Sequence, residues 1–369
     1  MIPLRIKVEA NADQPFVVRL RSFEVDAWEQ RTERLNPFDA TLERVGPEGA
    51  DYVGEGGSIR ILGLDPSKID GDVLLVNPRR GTADRLIRSS SQHNTFLVTE
   101  RCDQICLMCS QPPKKHHVDL FQYFETAALL APEGATIGIS GGEPTLFKDR
   151  LFGFLESVLD ARPDLSFHVL TNGQHFEEAD RHAMGRIDQG RVVWGIPLYS
   201  RDPGVHDEIV GKAGAHARLL GSLALMCRLG AQVELRTVLM RPNADRLPHL
   251  ARFIVSTLPF IRTWAVMQME NIGFGRMNWK ALFYDSSEGF DVVGRSIDLV
   301  RSRGIDALLY NFPLCTVPEP SRHLAPATIS DWKRSYREEC DGCSLKARCG
   351  GFFEWHPANH GYSNLGAIQ

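Results

Sequence analysis

Three cysteines fall within eight residues, in the run Cys102-Asp103-Gln104-Ile105-Cys106-Leu107-Met108-Cys109. Three thiolates spaced as C-x3-C-x2-C can wrap one face of a cubane iron–sulfur cluster, and thiolate is the ligand such iron prefers. Three ligands leave one iron without a protein partner, and an open position marks a reactive metal centre, as in catalytic as opposed to structural zinc. The alternative is a zinc site completed by a distant fourth ligand, such as His116 or His117. A second group, Cys340, Cys343 and Cys349, is spaced C-x2-C-x5-C, and Cys315 lies 25 residues upstream of Cys340. Four thiolates are enough to close a site around zinc or around a fully ligated cluster. The eighth cysteine, Cys227, lies in the apolar run Leu223-Ala224-Leu225-Met226-Cys227-Arg228-Leu229 and is expected in the core. Lys114-Lys115-His116-His117 follows the first group as a solvated loop or a contact for a peptide.

The rest of the composition narrows the class. Disulfide frameworks belong to small secreted chains, whereas this chain has 369 residues and begins Met1-Ile2-Pro3-Leu4-Arg5-Ile6-Lys7, with no apolar signal run. No stretch approaches 18 apolar residues, so no membrane partner is expected, and the expected location is the cytoplasm. With 42 Lys+Arg against 46 Asp+Glu, a net charge of -4 and 43% hydrophobic residues, the chain is neither disordered nor a basic nucleic-acid protein. At roughly 150 residues per domain the length suggests two to three domains.

Residues 1–90 alternate apolar and polar over short runs, such as Phe16–Leu20, Ser58–Leu62 and Asp72–Val76, with Gly54-Glu55-Gly56-Gly57 as a turn. They read as a small β-rich domain ending near Arg88-Ser89-Ser90-Ser91-Gln92. From 91 to 275 strands alternate with helices. The strands are expected at 95–99, 135–140, 166–170, 192–198, 232–239 and 263–268. Such alternation implies parallel pairing through right-handed crossovers, here a partial (β/α)6 TIM-like barrel in an α/β fold. Residues 276–369 form a cysteine-rich extension. In barrels of this kind the site-bearing loops follow the C-terminal ends of the strands. The cysteine triplet follows the first strand, Gly141-Gly142-Glu143-Pro144 the second, Thr171-Asn172-Gly173 the third and Tyr199-Ser200 the fourth.

These motifs resemble those of the radical S-adenosylmethionine (SAM) superfamily. The resemblance implies that Cys102, Cys106 and Cys109 bind a [4Fe–4S] cluster whose free iron is chelated by SAM. Gly141-Gly142-Glu143-Pro144, 32 residues after Cys109, is similar to the motif that holds the SAM amino group. Glycines allow close backbone approach there, and Glu143 is an acceptor suited to an ammonium. Met108 stands where members usually carry an aromatic residue near the adenine; a thioether can also lie on a π-face. By the same resemblance Thr171, Asn172 and Ser200 lie near the ribose, and Arg236 meets the SAM carboxylate as a bidentate donor. The reaction implied is one-electron cleavage of SAM to methionine and a 5′-deoxyadenosyl radical, which abstracts a C–H hydrogen. It needs a donor cluster near the low end of the range of about -700 to +450 mV.

Cys315, Cys340, Cys343 and Cys349 look like the auxiliary-cluster extension, SPASM or its shorter twitch form, of radical SAM peptide-modifying enzymes. One auxiliary [4Fe–4S] cluster is implied, with zinc as the alternative. The string Cys106-Leu107-Met108-Cys109-Ser110-Gln111-Pro112-Pro113-Lys114 and the segment 71–78 resemble the C-component maturases of the His-Xaa-Ser system. That implies crosslinking of a ribosomally made precursor peptide, an electron donor of flavodoxin or ferredoxin type, and a second radical SAM maturase as partner. Similar chemistry on a small molecule or a folded protein is the second reading. A zinc-stabilised binding module without turnover is the third.

Overall fold

The computed structural model describes residues 4–22 and 36–369; residues 1–3 and 23–35 of the expected β-rich domain lie outside the described residues. The chain forms two compact units. One comprises Met1–Val98, Val118–Ile139 and Asp149–Phe167; the other comprises Thr99–His117, Ser140–Lys148 and His168–Gln369.

In the first unit, seven strands close into a barrel among the described residues. They are β1 (Arg5–Ala10), β2 (Phe16–Arg21), β3 (Asp39–Val45), β4 (Gly49–Gly54), β5 (Gly57–Leu62), β6 (Val73–Asn77) and β7 (Thr82–Ile87). Their order is β1-β5-β4-β3-β2-β6-β7, and antiparallel pairing of β1 with β7 removes the open edges. The alternation seen in the sequence is the cause: Ile6 and Val8 of β1 point inward beside Leu20, Tyr52, Ile61 and Leu74, while Arg5 and Lys7 face water. Gly54 pairs with Gly57 across a two-residue turn, as expected of that glycine run. The polar stretch after β7 is not a loose linker. Arg88 is buried, its N–H donates to Asn94 Oδ1 at 2.9 Å, and its guanidinium donates to Ser91 Oγ at 2.6 Å.

The parallel sheet has seven strands in sequential order: β8 (Asn94–Thr99), β9 (Thr136–Gly141), β10 (Ser166–Leu170), β11 (Val192–Pro197), β12 (Gln232–Val238), β13 (Thr263–Met267) and β14 (Asp306–Tyr310). Helices intervene, among them α1 (Phe121–Leu129), α2 (Lys148–Ala161), α3 (Arg181–Arg186), α4 (Pro203–Val210), α5 (Ala215–Arg228), α6 (Arg241–Ala244) and α7 (Leu247–Thr257). This is the partial-barrel α/β fold expected, with one strand more. The seventh, β14, follows α8 (Gly273–Met277), α9 (Trp279–Leu282) and α10 (Asp291–Arg301), so the sheet runs past the boundary expected at 275. The six expected strands lie within a residue or two of their observed ends, because each is a short apolar run stopped by Gly, Pro or polar residues. β11 and β13 are mostly apolar and buried, Trp264, Ala265 and Val266 in β13 among them, whereas β12 carries Gln232, Glu234, Arg236 and Thr237. Cys227 corrects the sequence reading. It is exposed near the C-terminal end of α5, one helical step round from buried Met226. No helix among the described residues is long and apolar enough to cross a membrane.

Candidate active site

One cavity of about 300 Å³ opens at the C-terminal ends of the sheet strands, lined wholly by residues of the second unit. The loop after β8 contributes Cys102, Cys106, Met108 and Cys109; β9 ends there with Gly141 and Gly142, and β10 is followed by Thr171 and Asn172. Beyond β11 comes Tyr199, and β12 contributes Arg236. Every strand end thus reaches one rim, because a parallel sheet in sequential order brings all its βα loops to one side.

The cysteine loop is tied down at both ends. Ile105 and Leu107 N–H groups donate to the carbonyls of Val210 and Ile209 at the end of α4, at 3.1 and 2.9 Å. Met108 packs in an apolar cluster with Tyr199, Met240 and Met269. Between the first two cysteines, Asp103 accepts from Asn172 Nδ2 at 2.8 Å and pairs with Lys212, while His175 Nε2 stands 3.0 Å away. Burial would raise the Asp103 pKa, but His175 and Lys212 outweigh it and hold the carboxylate well below its usual range.

Gly141 ends β9 with φ 153°, and a Cβ on it would stand 2.2 Å from the Thr99 carbonyl oxygen, so only glycine fits. Glu143 departs from the expectation. It is fully buried and does not line the cavity. One carboxylate oxygen accepts from Thr145 N at 2.8 Å, Thr145 Oγ1 at 2.5 Å and Thr171 Oγ1 at 2.7 Å, and the other accepts from Asn172 N. Glu143 therefore braces the loop after β10 and is not among the residues lining the cavity. Burial raises its pKa, against the pull of these donors. Pro144 is buried at the first position of a short 3-10 helix, Pro144–Phe147, and also lies off the cavity. Ser200 is buried with Oγ accepting from Asp202 N at 3.0 Å, which starts α4, so its hydroxyl serves the loop. Arg236 does reach the cavity, with Nη1 donating to Glu234 Oε1 at 2.5 Å and its guanidinium 5.6 Å from the centre of the Tyr310 ring.

Sequence reasoning missed Met267 at the end of β13, Gln268, Met269 and Glu270 after it, and Asn311 after β14, all of which line the cavity. Asn311 holds φ 65°, a left-handed conformation rare outside glycine, and Thr328 Oγ1 accepts its N–H at 3.0 Å. The strand-end rule was the available signal for these residues, since none belongs to a recognisable motif.

The donor set fits an iron–sulfur cluster. Burial pushes the Cys102 thiol up to about 11 and raises Cys106 and Cys109 as well, and repulsion from Cys109 and Cys102 adds to the shift at Cys106. Three thiolates there need a cationic partner to share. Among the described residues no group of three or more His, Cys, Asp or Glu side chains is gathered as it would be round one metal ion. A tetrahedral zinc would take its sulfurs at about 2.3 Å, and a cubane would take each thiolate at a separate iron. The four C-terminal cysteines line a second, more enclosed cavity with Leu314 and Ile368. Ile368 N–H donates to Cys343 Sγ at 3.4 Å, and Leu314 and Gly351 N–H groups donate to Cys349 Sγ at 3.4 and 3.3 Å. Amide donors aimed at sulfur stabilise thiolate and suit a metal-bound site.

The sequence model of the Radical SAM superfamily matches residues 96–254. A GTP 3′,8-cyclase of Campylobacter curvus (strain 525.92) is 31% identical over 262 residues, 68% of this chain and 76% of the cyclase. The chain belongs to the radical SAM superfamily. It is an enzyme of that family, whose members use a [4Fe–4S] cluster and SAM. The antilisterial bacteriocin subtilosin biosynthesis protein AlbA of Bacillus subtilis (strain 168) is 26% identical over 192 residues, 50% of this chain and 41% of AlbA. Streptococcus suis SuiB, solved with S-adenosylmethionine bound, superposes with a TM-score of 0.50 at 14% identity, over 63% of this chain and 54% of SuiB. This radical SAM enzyme thus spans about half the length of several proteins it matches, including 47% of a second GTP 3′,8-cyclase, from Nautilia profundicola.

Proposed function

We propose that this radical SAM enzyme is a peptide maturase that removes a C–H hydrogen from a ribosomally made precursor of the His-Xaa-Ser type and so forms a crosslink. The observation that carries the reading is the pairing of two cysteine-lined cavities on one chain, an open one with three thiols and a more enclosed one with four. The subtilosin biosynthesis protein AlbA, a relative by sequence, adds support on the side of a peptide substrate. The cluster and SAM, when bound, supply the one-electron chemistry that produces the 5′-deoxyadenosyl radical.

The chain's own residues do the rest. Cys102, Cys106 and Cys109 hold the first cluster. Gly141 and Gly142 let the backbone approach SAM, Met108 packs beside the adenine, and Thr171 and Asn172 border the ribose, held by Glu143. Arg236, oriented by Glu234, takes the SAM carboxylate. Cys315, Cys340, Cys343 and Cys349 close an auxiliary cluster that passes electrons or staples the C-terminal segment. The electron source is a small donor of flavodoxin or ferredoxin type, a second radical SAM maturase acts alongside, and the eight unpaired cysteines suit the cytoplasm.

The second reading is a nucleotide substrate, favoured by the identity with the Campylobacter cyclase. Anaerobic incubation with SAM, dithionite and either the precursor peptide encoded beside the gene or GTP separates them. Mass spectrometry is expected to show the peptide lighter by two hydrogens and GTP unchanged. An altered GTP with an untouched peptide would reverse the assignment.

A further inference from the structure

The first cavity has one guanidinium in its lining, Arg236, and one carboxylate, and that carboxylate is not Glu143. It is Glu270, three residues beyond the end of β13. Its Oε2 is inaccessible to solvent and has no hydrogen-bond partner among the described residues. Two cations stand near it without satisfying it. Lys333 Nζ lies 4.0 Å from Oε2, beyond hydrogen-bond reach, and the Arg236 guanidinium is held by Glu234. Burial raises the Glu270 pKa, and the fields of Lys333 and Arg236 oppose that. A buried carboxylate oxygen without a donor is costly in a folded protein, and such groups persist where a ligand completes them.

We propose that Glu270, whose side chain keeps 22% of its surface exposed, is a ligand-binding carboxylate that accepts a hydrogen bond from a basic N–H group of a molecule seated in the cavity. Two such groups are at hand if the cavity is the SAM and substrate site, the reading on which this proposal rests: the ammonium of SAM and a basic side chain of the substrate. Either meets the same need. The carboxylate supplies a charged acceptor that Glu143, spent on Thr145, Thr171 and Asn172, cannot offer. Arg236 at one place and Glu270 at another would then fix the two signs of a zwitterionic ligand.

The test is calorimetric binding to the anaerobically reconstituted full chain, for wild type, Glu270→Gln and Glu270→Asp. The probes are SAM alone, then a synthetic (His-Ala-Ser)4 peptide and its (Gln-Ala-Ser)4 counterpart with SAM present. If the partner is the SAM ammonium, Glu270→Gln weakens SAM at least tenfold and Glu270→Asp recovers part of the loss. If it is the substrate, Glu270→Gln leaves SAM within twofold, weakens the histidine peptide at least tenfold and leaves the glutamine peptide unchanged. Unchanged affinity for both SAM and the histidine peptide overturns the proposal, with thermal melts confirming that the variants fold. Wild-type protein that binds no SAM would instead overturn the cofactor reading beneath it.

Discussion

Gly142→Ala perturbs the site at a point where the geometry sets the size of the effect. Gly142 N–H is close to the first strand end, and its carbonyl precedes Glu143, whose own N–H donates to the Arg101 carbonyl at 2.8 Å. A Cβ on Gly142 would stand 2.2 Å from that Arg101 oxygen, 2.5 Å from its carbon and 3.0 Å from Cys102 Cβ. Carbon meets a carbonyl oxygen at roughly 3.3 Å, so one backbone must move by about 1 Å. The segment that has to yield is Arg101–Cys102, which carries the first cluster ligand. Overpacking of this kind costs about 1–3 kcal/mol in stability. A misplacement of about 1 Å at a reacting centre lowers the rate by about 10²-fold. The assay is 5′-deoxyadenosine formed from SAM and dithionite under anaerobic conditions, with iron content and melting temperature measured on the same samples. Gly153→Ala in α2 is the control, because a Cβ there meets nothing within 4 Å. It should leave the rate alone and gain up to about 1 kcal/mol of stability. Gly142→Ala forming 5′-deoxyadenosine at the wild-type rate would refute the claim that this backbone contact positions the cluster loop.

Two further outcomes follow from the same geometry. Reconstituted wild type should hold about eight irons per chain, from two cubanes. Replacing Cys102, Cys106 and Cys109 by Ala should lower this to about four and abolish 5′-deoxyadenosine, whereas replacing Cys340 and Cys343 should lower iron to about four by emptying the other site; zinc in place of that iron by elemental analysis would count against an auxiliary cluster. Glu234 supplies a pH test. Burial works against its ionisation, yet His168, Arg236 and Tyr310 outweigh burial and carry its pKa from 4.5 to about 2. A depressed carboxylate stabilises the fold above its unfolded pKa and loses that contribution as pH falls through the folded value, here about 3 kcal/mol between pH 4.5 and 2. Glu234 is buried, so solvent screening takes little from that figure. In chemical denaturation the stability gap between wild type and Glu234→Gln should be widest above pH 4.5 and close toward pH 2, and a gap constant with pH would contradict this account.

What was legible in the chain was local. C-x3-C-x2-C lies within eight residues on one loop, and the apolar runs that make β8–β13 are each bounded by their own turn residues, so neither needs distant parts of the chain to be read. What was not legible is direction. Glu143 follows two glycines in the expected motif, but the side chain turns to Thr171 and Asn172, 28 and 29 residues away, a choice made by packing between two strand ends. For Ser200 and Cys227 too, the neighbouring backbone or helix face decides where the side chain goes. The strand β14, Asp306–Tyr310, lies beyond the boundary expected at 275, in the segment assigned to the cysteine-rich extension, and carries no motif of its own.

The superfamily model covers only part of the cavity lining. The superfamily match ends at residue 254, inside α7, and so takes in the ends of β8 to β12 with the cysteine triplet, Gly141-Gly142, Asn172 and Arg236. Met267–Glu270, Asn311 and the four C-terminal cysteines all fall beyond it. The matched span holds the groups expected to serve SAM, which a nucleotide cyclase and a peptide maturase need alike. Identity there is therefore blind to the difference between the two. Discrimination requires groups that contact one substrate and leave a competitor's polar atoms unpaired. In this cavity the residues free to do that come from the ends of β13 and β14, where Glu270 carries the one lining carboxylate and Asn311 a left-handed backbone fixed by Thr328. Variation at these two strand ends should thus alter which substrate is taken while leaving SAM cleavage chemistry to the triplet.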